Sequence, residues 1–175
     1  MKDLTERSEV APPCLLAVVD EMPSGIHTAD IAVALASRMR AQVLFHIAVP
    51  LEPINANSVD SLPSALATHH EQCVERTRLR FDQVMKTAAS ADVAATTELT
   101  IDEDPCGAAI RLAVERHCDL ILVGTRGRGP LSQLIHSSLA AELAKLAPCP
   151  VVVCRDGMSF GAVTARTDTG EDSVR

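Results

Sequence analysis

Five short apolar runs punctuate the chain, and between them apolar residues return every three or four positions. The runs are "CLLAVVD" (14–20), "AQVLFHIAV" (41–49), "DVAATTELTI" (92–101), "DLILVG" (119–124) and "VVVC" (151–154). Short continuous apolar stretches rich in Val, Leu and Ile predict strands covered on both faces. The third run mixes polar with apolar positions and belongs near a sheet edge. Ala29, Ala32, Val33, Ala36 and Met39 predict a helix over 28–40. A second, over 64–89, is marked by Leu66, His70, Cys73, Val74, Thr77, Phe81, Val84, Met85 and Ala88. A third runs from Pro105 to about His117 with Ala109, Leu112, Ala113 and Arg116 on one face; Asp104 is placed to cap it. Leu139, Leu143 and Leu146 mark a fourth, which "PCP" (148–150) ends.

Strands alternating with helices need crossover connections, and these build a parallel sheet with helices on both faces. The expected fold is an open doubly wound α/β domain of five strands over 14–154. Residues 1–13 form a flexible lead ending in Pro-Pro, and "PLEPINANSVDSLP" (50–63) a surface loop. The polar, aperiodic stretch 155–175 is expected to be a disordered tail. Such sheets bind ligands beyond the carboxyl ends of the strands, where strand order reverses. A flavodoxin-like order is one solution for five strands. The order 3-2-1-4-5 is preferred, because it sets Asp20 and Gly124 at the ends of neighbouring strands, facing one crevice. Both ends carry polar or glycine-rich sequence, whereas the last strand closes in "CRDG".

Composition narrows the ligand. Sixteen Lys and Arg against 23 Asp and Glu give a net charge of −7, the wrong sign for general nucleic-acid or membrane-surface binding. Trp and Tyr are absent and Phe occurs three times, so a purine would have to rest on aliphatic side chains. The start has no apolar leader core and no run reaches a membrane span, which points to a cytoplasmic protein. The six cysteines (14, 73, 106, 118, 149 and 154) are scattered without a CxxC and are expected reduced, as small hydrophobes.

The chemistry concentrates in "GTRGRGPLSQLIHSS" (124–138), directly after the fourth apolar run. Gly124, Gly127 and Gly129 allow tight turning and bring bare N–H groups toward a ligand. Ser137 and Ser138 open the next helix, whose free N–H groups and positive dipole end favour phosphate. Asp20 would be repelled by phosphate and suits ribose hydroxyls instead. The stretch is neither a Walker loop nor a GxGxxG after the first strand, and on its own it also reads as a plain loop.

From residue 14 to 154 the chain resembles the universal stress protein family. The likeness rests on "LLAVVD", "FHIAV", "DEDPCGAAIRLAVERHCDLILVG" and "GTRGRGPLSQLIHSSLAAELAKLAPCPVVVC". The family's nucleotide-binding branch carries Gly, two residues, Gly, nine residues, then Gly followed by Ser or Thr. Gly124, Gly127 and Ser137-Ser138 stand at that spacing, with Ser137 in place of the third glycine. The resemblance implies that Asp20 contacts the ribose and that the backbone of Ile47 holds the adenine edge. It implies that Val19 and Val123 flank the base, and that N–H groups at Gly124, Arg126 and Gly127 wrap the phosphates. Ser137, Ser138 and Leu139 meet the phosphates at the helix start. ATP or AMP is the implied ligand, with Mg2+ held mainly by the phosphates, and a homodimer is implied through the Val151–Cys154 edge strand. Two departures bear on affinity: a Cβ at Ser137 costs about 1–2 kcal/mol if the backbone there is left-handed, and "EMPSG" after Asp20 adds the charge of Glu21.

Other clusters have plainer readings. His69 or His70 with Cys73 has helical metal-ligand spacing, but no partner cluster completes a site. His46 reads as a packed or hydrogen-bonded core histidine, and Cys149 and Cys154 as buried thiols rather than redox groups. Arg126 and Arg128 serve equally as phosphate ligands or as solvated loop charges. No nucleophile–base pair is legible, so no catalytic residue is assigned. The favoured function is an ATP-binding stress regulator or sensor; the alternatives are a ligand-free interaction module of the same fold and a slow nucleotide hydrolase.

Overall fold

The computed structural model describes residues 11–19, 23–50, 63–124 and 139–155. It contains β1 (Cys14–Val18), α1 (Pro23–Met39), β2 (Gln42–Pro50), α2 (Pro63–Ser90), β3 (Ala95–Asp102), α3 (Pro105–Glu115), β4 (Leu120–Gly124), α4 (Leu139–Leu146) and β5 (Val151–Cys154). The five strands form one parallel sheet in the order β3-β2-β1-β4-β5. This is the expected doubly wound order, with β3 at an edge. Most of the expected N-terminal lead, surface loop and tail lies outside the described residues.

The sheet divides the core into two layers. Leu15, Ala17, Val43, Phe45, Ile47 and Leu122 pack with Ala29, Ala32, Val33 and Ala36 of α1 and with Val84 and Ala88 of α2. Leu16, Val18, Leu44, Ile121 and Val123 pack on the other side with Ala109, Leu112 and Ala113 of α3 and with Ala140 and Leu143 of α4. Every residue of β1 is buried because β1 is central and covered on both faces. Each fully buried Leu or Phe contributes about 1.5–3 kcal/mol by leaving water.

Three helix-to-strand turns share one hydrogen-bonded device. The N–H of Ala41 reaches the carbonyl of Ala36 at 2.9 Å, Val93 that of Ala88 at 3.0 Å, and Cys118 that of Ala113 at 2.8 Å. The residue before each donor is left-handed: Arg40 (φ 53), Asp92 (φ 54) and His117 (φ 50). These are Schellman closures, each joining two buried apolar residues across the turn. None of the three uses glycine.

That device explains why β3 starts at Ala95 rather than at residue 92: Ala91 and Asp92 finish α2. It likewise ends α3 at Glu115, leaving Arg116 exposed and paired with Glu98 at 3.0 Å instead of on the buried face. α1 begins at Pro23, five residues before the expected start, since proline's fixed φ suits a first helical turn. Met39 (43% exposed) and Leu146 (65%) sit at helix ends beyond the packed stripes. Val74 is exposed as well. At 28 residues α2 is about 42 Å long, whereas the nine-residue β2 reaches about 30 Å, so one end of α2 overhangs the sheet. The buried stripe on α2 is Thr77, Val84 and Ala88, with Phe81 half-buried.

At the start of α3 the expected cap is present. Asp104 Oδ1 accepts the N–H of Gly107 at 2.9 Å, and Pro105 takes the first turn. Asp102 accepts the N–H of Asp104 at 2.9 Å and pairs with Arg111, so the corner is held by three polar contacts.

Candidate functional site

The carboxyl ends of β1 and β4 lie side by side, with Val18 opposite Val123. Beyond them Val19 donates its N–H to the carbonyl of His46 at 2.9 Å, which carries the β1–β2 ladder to the rim. Gly124 is half-buried and lies in register with Cys154 of β5. β1 leads into α1 on one face of the sheet, and β4 into α4 on the other. A cleft between two neighbouring strands whose connections part in this way is the topological switch point of the fold.

Of the residues expected to line this cleft, Val19, Ile47, Val123, Gly124 and Leu139 are described; Asp20, Arg126, Gly127, Ser137 and Ser138 lie outside the described residues. Val19 and Ile47 are both 2% exposed and share the layer under α1 and α2. Val123, also 2% exposed, packs with Leu139 in the layer under α3 and α4. Val19 and Val123 therefore project to opposite faces of the sheet. Strand parity also places the main chain of Ile47. The N–H of Val43 bonds to the carbonyl of Ala94 beside β3, and Ile47 shares its parity. The β2 groups directed toward β1 are those of His46 and Ala48.

His46 is a polar group that the core buries near this rim. It is fully buried, opposite Val18 on one side and Glu98 on the other. Its Nε2 lies 2.9 Å from Oγ1 of Thr100, while Nδ1 has no hydrogen-bond partner among the described residues. Burial lowers its pKa from 6.5 to about 4, so the ring is neutral near pH 7. The hydrogen-bonded core histidine expected from the sequence is present. The orphaned Nδ1 was not legible there, because it depends on what surrounds the ring rather than on spacing.

Among the described side chains, Cys14, Cys106, Cys118 and Cys154 are buried as expected and Cys149 is half-buried. Burial pushes the Cys154 thiol up to about 11 and raises Cys106 and Cys149. No three His, Cys, Asp or Glu side chains among the described residues could hold a metal ion. The side chains of His69, His70 and Cys73 lie outside that set. No described helix is long and apolar enough to cross a membrane.

The family model for "Universal stress protein family" matches residues 15–155. A universal stress protein in the QAH/OAS sulfhydrylase 3' region of Thermus aquaticus is 31% identical over 86 residues, 49% of this chain and 63% of that protein. The match thus spans under two thirds of that relative's length. Among solved structures, a universal stress protein in complex with cAMP is 18% identical with a TM-score of 0.60, covering 83% of this chain and 98% of its own. The universal stress protein from Archaeoglobus fulgidus in complex with dAMP is 13% identical with a TM-score of 0.57, covering 82% of this chain and 97% of its own. At these identities the structural likeness is one of fold.

Proposed function

The chain belongs to the universal stress protein family, and on that footing we propose that it binds an adenine nucleotide, ATP or AMP, where β1 and β4 end. It serves as a cytoplasmic regulator or sensor of stress rather than as an enzyme. One observation carries the reading: the order β3-β2-β1-β4-β5 brings the end of β1, which leads to Asp20, beside Gly124 at the head of the glycine-rich stretch. The cAMP and dAMP bound by the two structural relatives support the same ligand class.

The residues present fit such a ligand. Gly124 is half-buried at the strand end, where a bare backbone can approach a phosphate closely. Asp20 takes the ribose hydroxyls, and the β2 main chain at Ala48, the neighbour of Ile47 that faces β1, meets the adenine edge. Val19 and Val123, each buried on its own face of the sheet, pack beneath the cleft rather than flank the base. N–H groups at Gly124, Arg126 and Gly127, with Ser137, Ser138 and Leu139 at the start of α4, hold the phosphates. Mg2+, when bound, neutralises phosphate charge and is held mainly by the phosphates themselves. The protein pairs as a homodimer through β5, whose half-buried Val151, Val152 and Val153 form a sheet edge.

Calorimetry and thermal unfolding with ATP and AMP, with and without Mg2+, test the reading. Nucleotide at a hundredfold excess over Kd stabilises by about 2.7 kcal/mol and raises Tm by roughly 5–10 °C. Asp20→Ala weakens binding about tenfold or more through loss of a charged hydrogen-bond acceptor. Absent heat and an unmoved Tm at millimolar nucleotide would overturn the proposal and leave the ligand-free interaction module in its place.

A further inference from the structure

At the opposite rim of the sheet, two cysteines far apart in the chain meet. Cys14 opens β1, Cys118 stands just before β4, and their sulfurs lie 3.5 Å apart. Their backbones are clamped on either side. The N–H of Cys14 goes to Oδ2 of Asp119 at 2.8 Å, and the N–H of Asp119 returns to the carbonyl of Cys14 at 2.8 Å. Cys118 is held by the Schellman closure that ends α3. The pair sits at the border of the core: Cys14 is 7% and Cys118 8% exposed, against 0% for Leu15 and Leu16. Pro12, His117 and Asp119 around it are exposed.

This is a different setting from the other buried thiols. A thiol reacts as its thiolate, which burial alone suppresses, as it does at Cys154. At Cys14 the hydrogen bond from the Cys118 thiol lowers the pKa, against burial and the Asp119 carboxylate, while Cys118 is raised and keeps its proton. One sulfur is thus favoured as nucleophile and the other is in contact with it. A disulfide needs the sulfurs at about 2.05 Å, so from 3.5 Å they have roughly 1.5 Å left to close.

We propose that Cys14 and Cys118 are a redox-modification site that closes to a reversible disulfide when the protein meets a hydroperoxide. The Cys14 thiolate attacks the hydroperoxide: an S–O bond forms, the O–O bond breaks, and the alkoxide leaves with the thiol's proton as an alcohol. The Cys118 sulfur then attacks the sulfenic acid. The S–S bond forms, the S–O bond breaks, and hydroxide leaves as water with the Cys118 proton. Two thiols lose two electrons and the hydroperoxide gains them, so no further reactant is required. The link staples the two central strands together and needs no nucleotide, so the proposal stands or falls independently of ligand binding.

The test uses the full-length protein, reduced, freed of reductant and treated with hydrogen peroxide or an alkyl hydroperoxide. Non-reducing peptide mass mapping is expected to find the Cys14 and Cys118 peptides joined, with the mass of two hydrogens lost and dithiothreitol restoring both. Closing so long a loop is expected to raise Tm by roughly 5–15 °C, reversibly. Cys14→Ala and Cys118→Ala each abolish the link and the Tm rise, whereas Cys154→Ala keeps both. The mapping is made on the unmutated chain and does not depend on the variants folding. Thiols that stay free, that oxidise to sulfinic or sulfonic acid without linking, or that link in another pairing would each overturn the proposal.

Discussion

Acidification should expose the neutral state of His46 as a stability term that one substitution removes. The ring is fully buried, its Nε2 is bonded to Thr100, and burial takes its pKa from 6.5 to about 4. The unfolded chain therefore binds a proton below pH 6.5 that the folded chain refuses until about pH 4. Stability from this source is complete above pH 6.5 and is lost as pH falls through the window between those values. At about 1.4 kcal/mol for each pH unit of separation, the full loss is about 3 kcal/mol, and about 2.5 kcal/mol is gone by pH 4.5. Glu98, opposite His46 on β3, is engaged by Arg116 at 3.0 Å and is not free to favour an imidazolium. His46→Gln keeps a group able to bond Thr100 and removes the titration. Urea unfolding of both proteins at pH 7, 6, 5 and 4.5 is expected to show wild-type stability falling more steeply, the gap between the two curves changing by about 2.5 kcal/mol across the series. Parallel curves, or an imidazole resonance of His46 titrating near 6.5, would refute the reasoning.

Two further outcomes follow from the backbone. Asp104→Ala removes the acceptor of the Gly107 N–H and should cost about 1 kcal/mol in urea unfolding; no change would mean that water or Asp102 replaces the cap. In β5 the carbonyl of Pro150 faces β4, where it accepts the N–H of Ile121 at 3.0 Å, so Val151 and Val153 point their N–H groups away from the sheet. Val153→Pro should therefore leave the β4–β5 ladder intact and abolish pairing through this edge. On the proposed pairing, sedimentation velocity is expected to show a dimer for the parent and a monomer for the variant; a variant dimer would move the interface elsewhere.

The architecture was readable because two periodicities carry it. Continuous apolar runs marked the central strands, polar admixture marked β3 as an edge, and the helical repeat of Ala29, Ala32, Val33 and Ala36 marked α1. Boundaries were less legible where the usual punctuation is missing. Arg40, Asp92 and His117 perform the left-handed turn that glycine normally signals, so α3 was drawn past its end at Glu115 and β3 was started at residue 92, ahead of Ala95. The strand order followed from asking which strand ends could share polar ligands. Which face Val19 or Val123 adopts depends on strand parity at the rim, a one-residue matter that an apolar run cannot encode. The contact between Cys14 and Cys118 had no sequence signal, because only the β1–β4 pairing brings residues 104 apart together.

The two longest connections between neighbouring elements both lie on the carboxyl-end rim of the sheet. On the amino-end rim, α1 hands over to β2 across residues 40–41, α2 to β3 across 91–94, and α3 to β4 across 116–119, each through a locked turn. On the carboxyl-end rim, β2 is joined to α2 by 51–62 and β4 to α4 by 125–138. The short joints fix strand spacing, so the longer connections can drift in sequence, lengthen or exchange without endangering the scaffold. Sequence change confined to those two connections would for that reason leave the frame intact and fall on a single side of it.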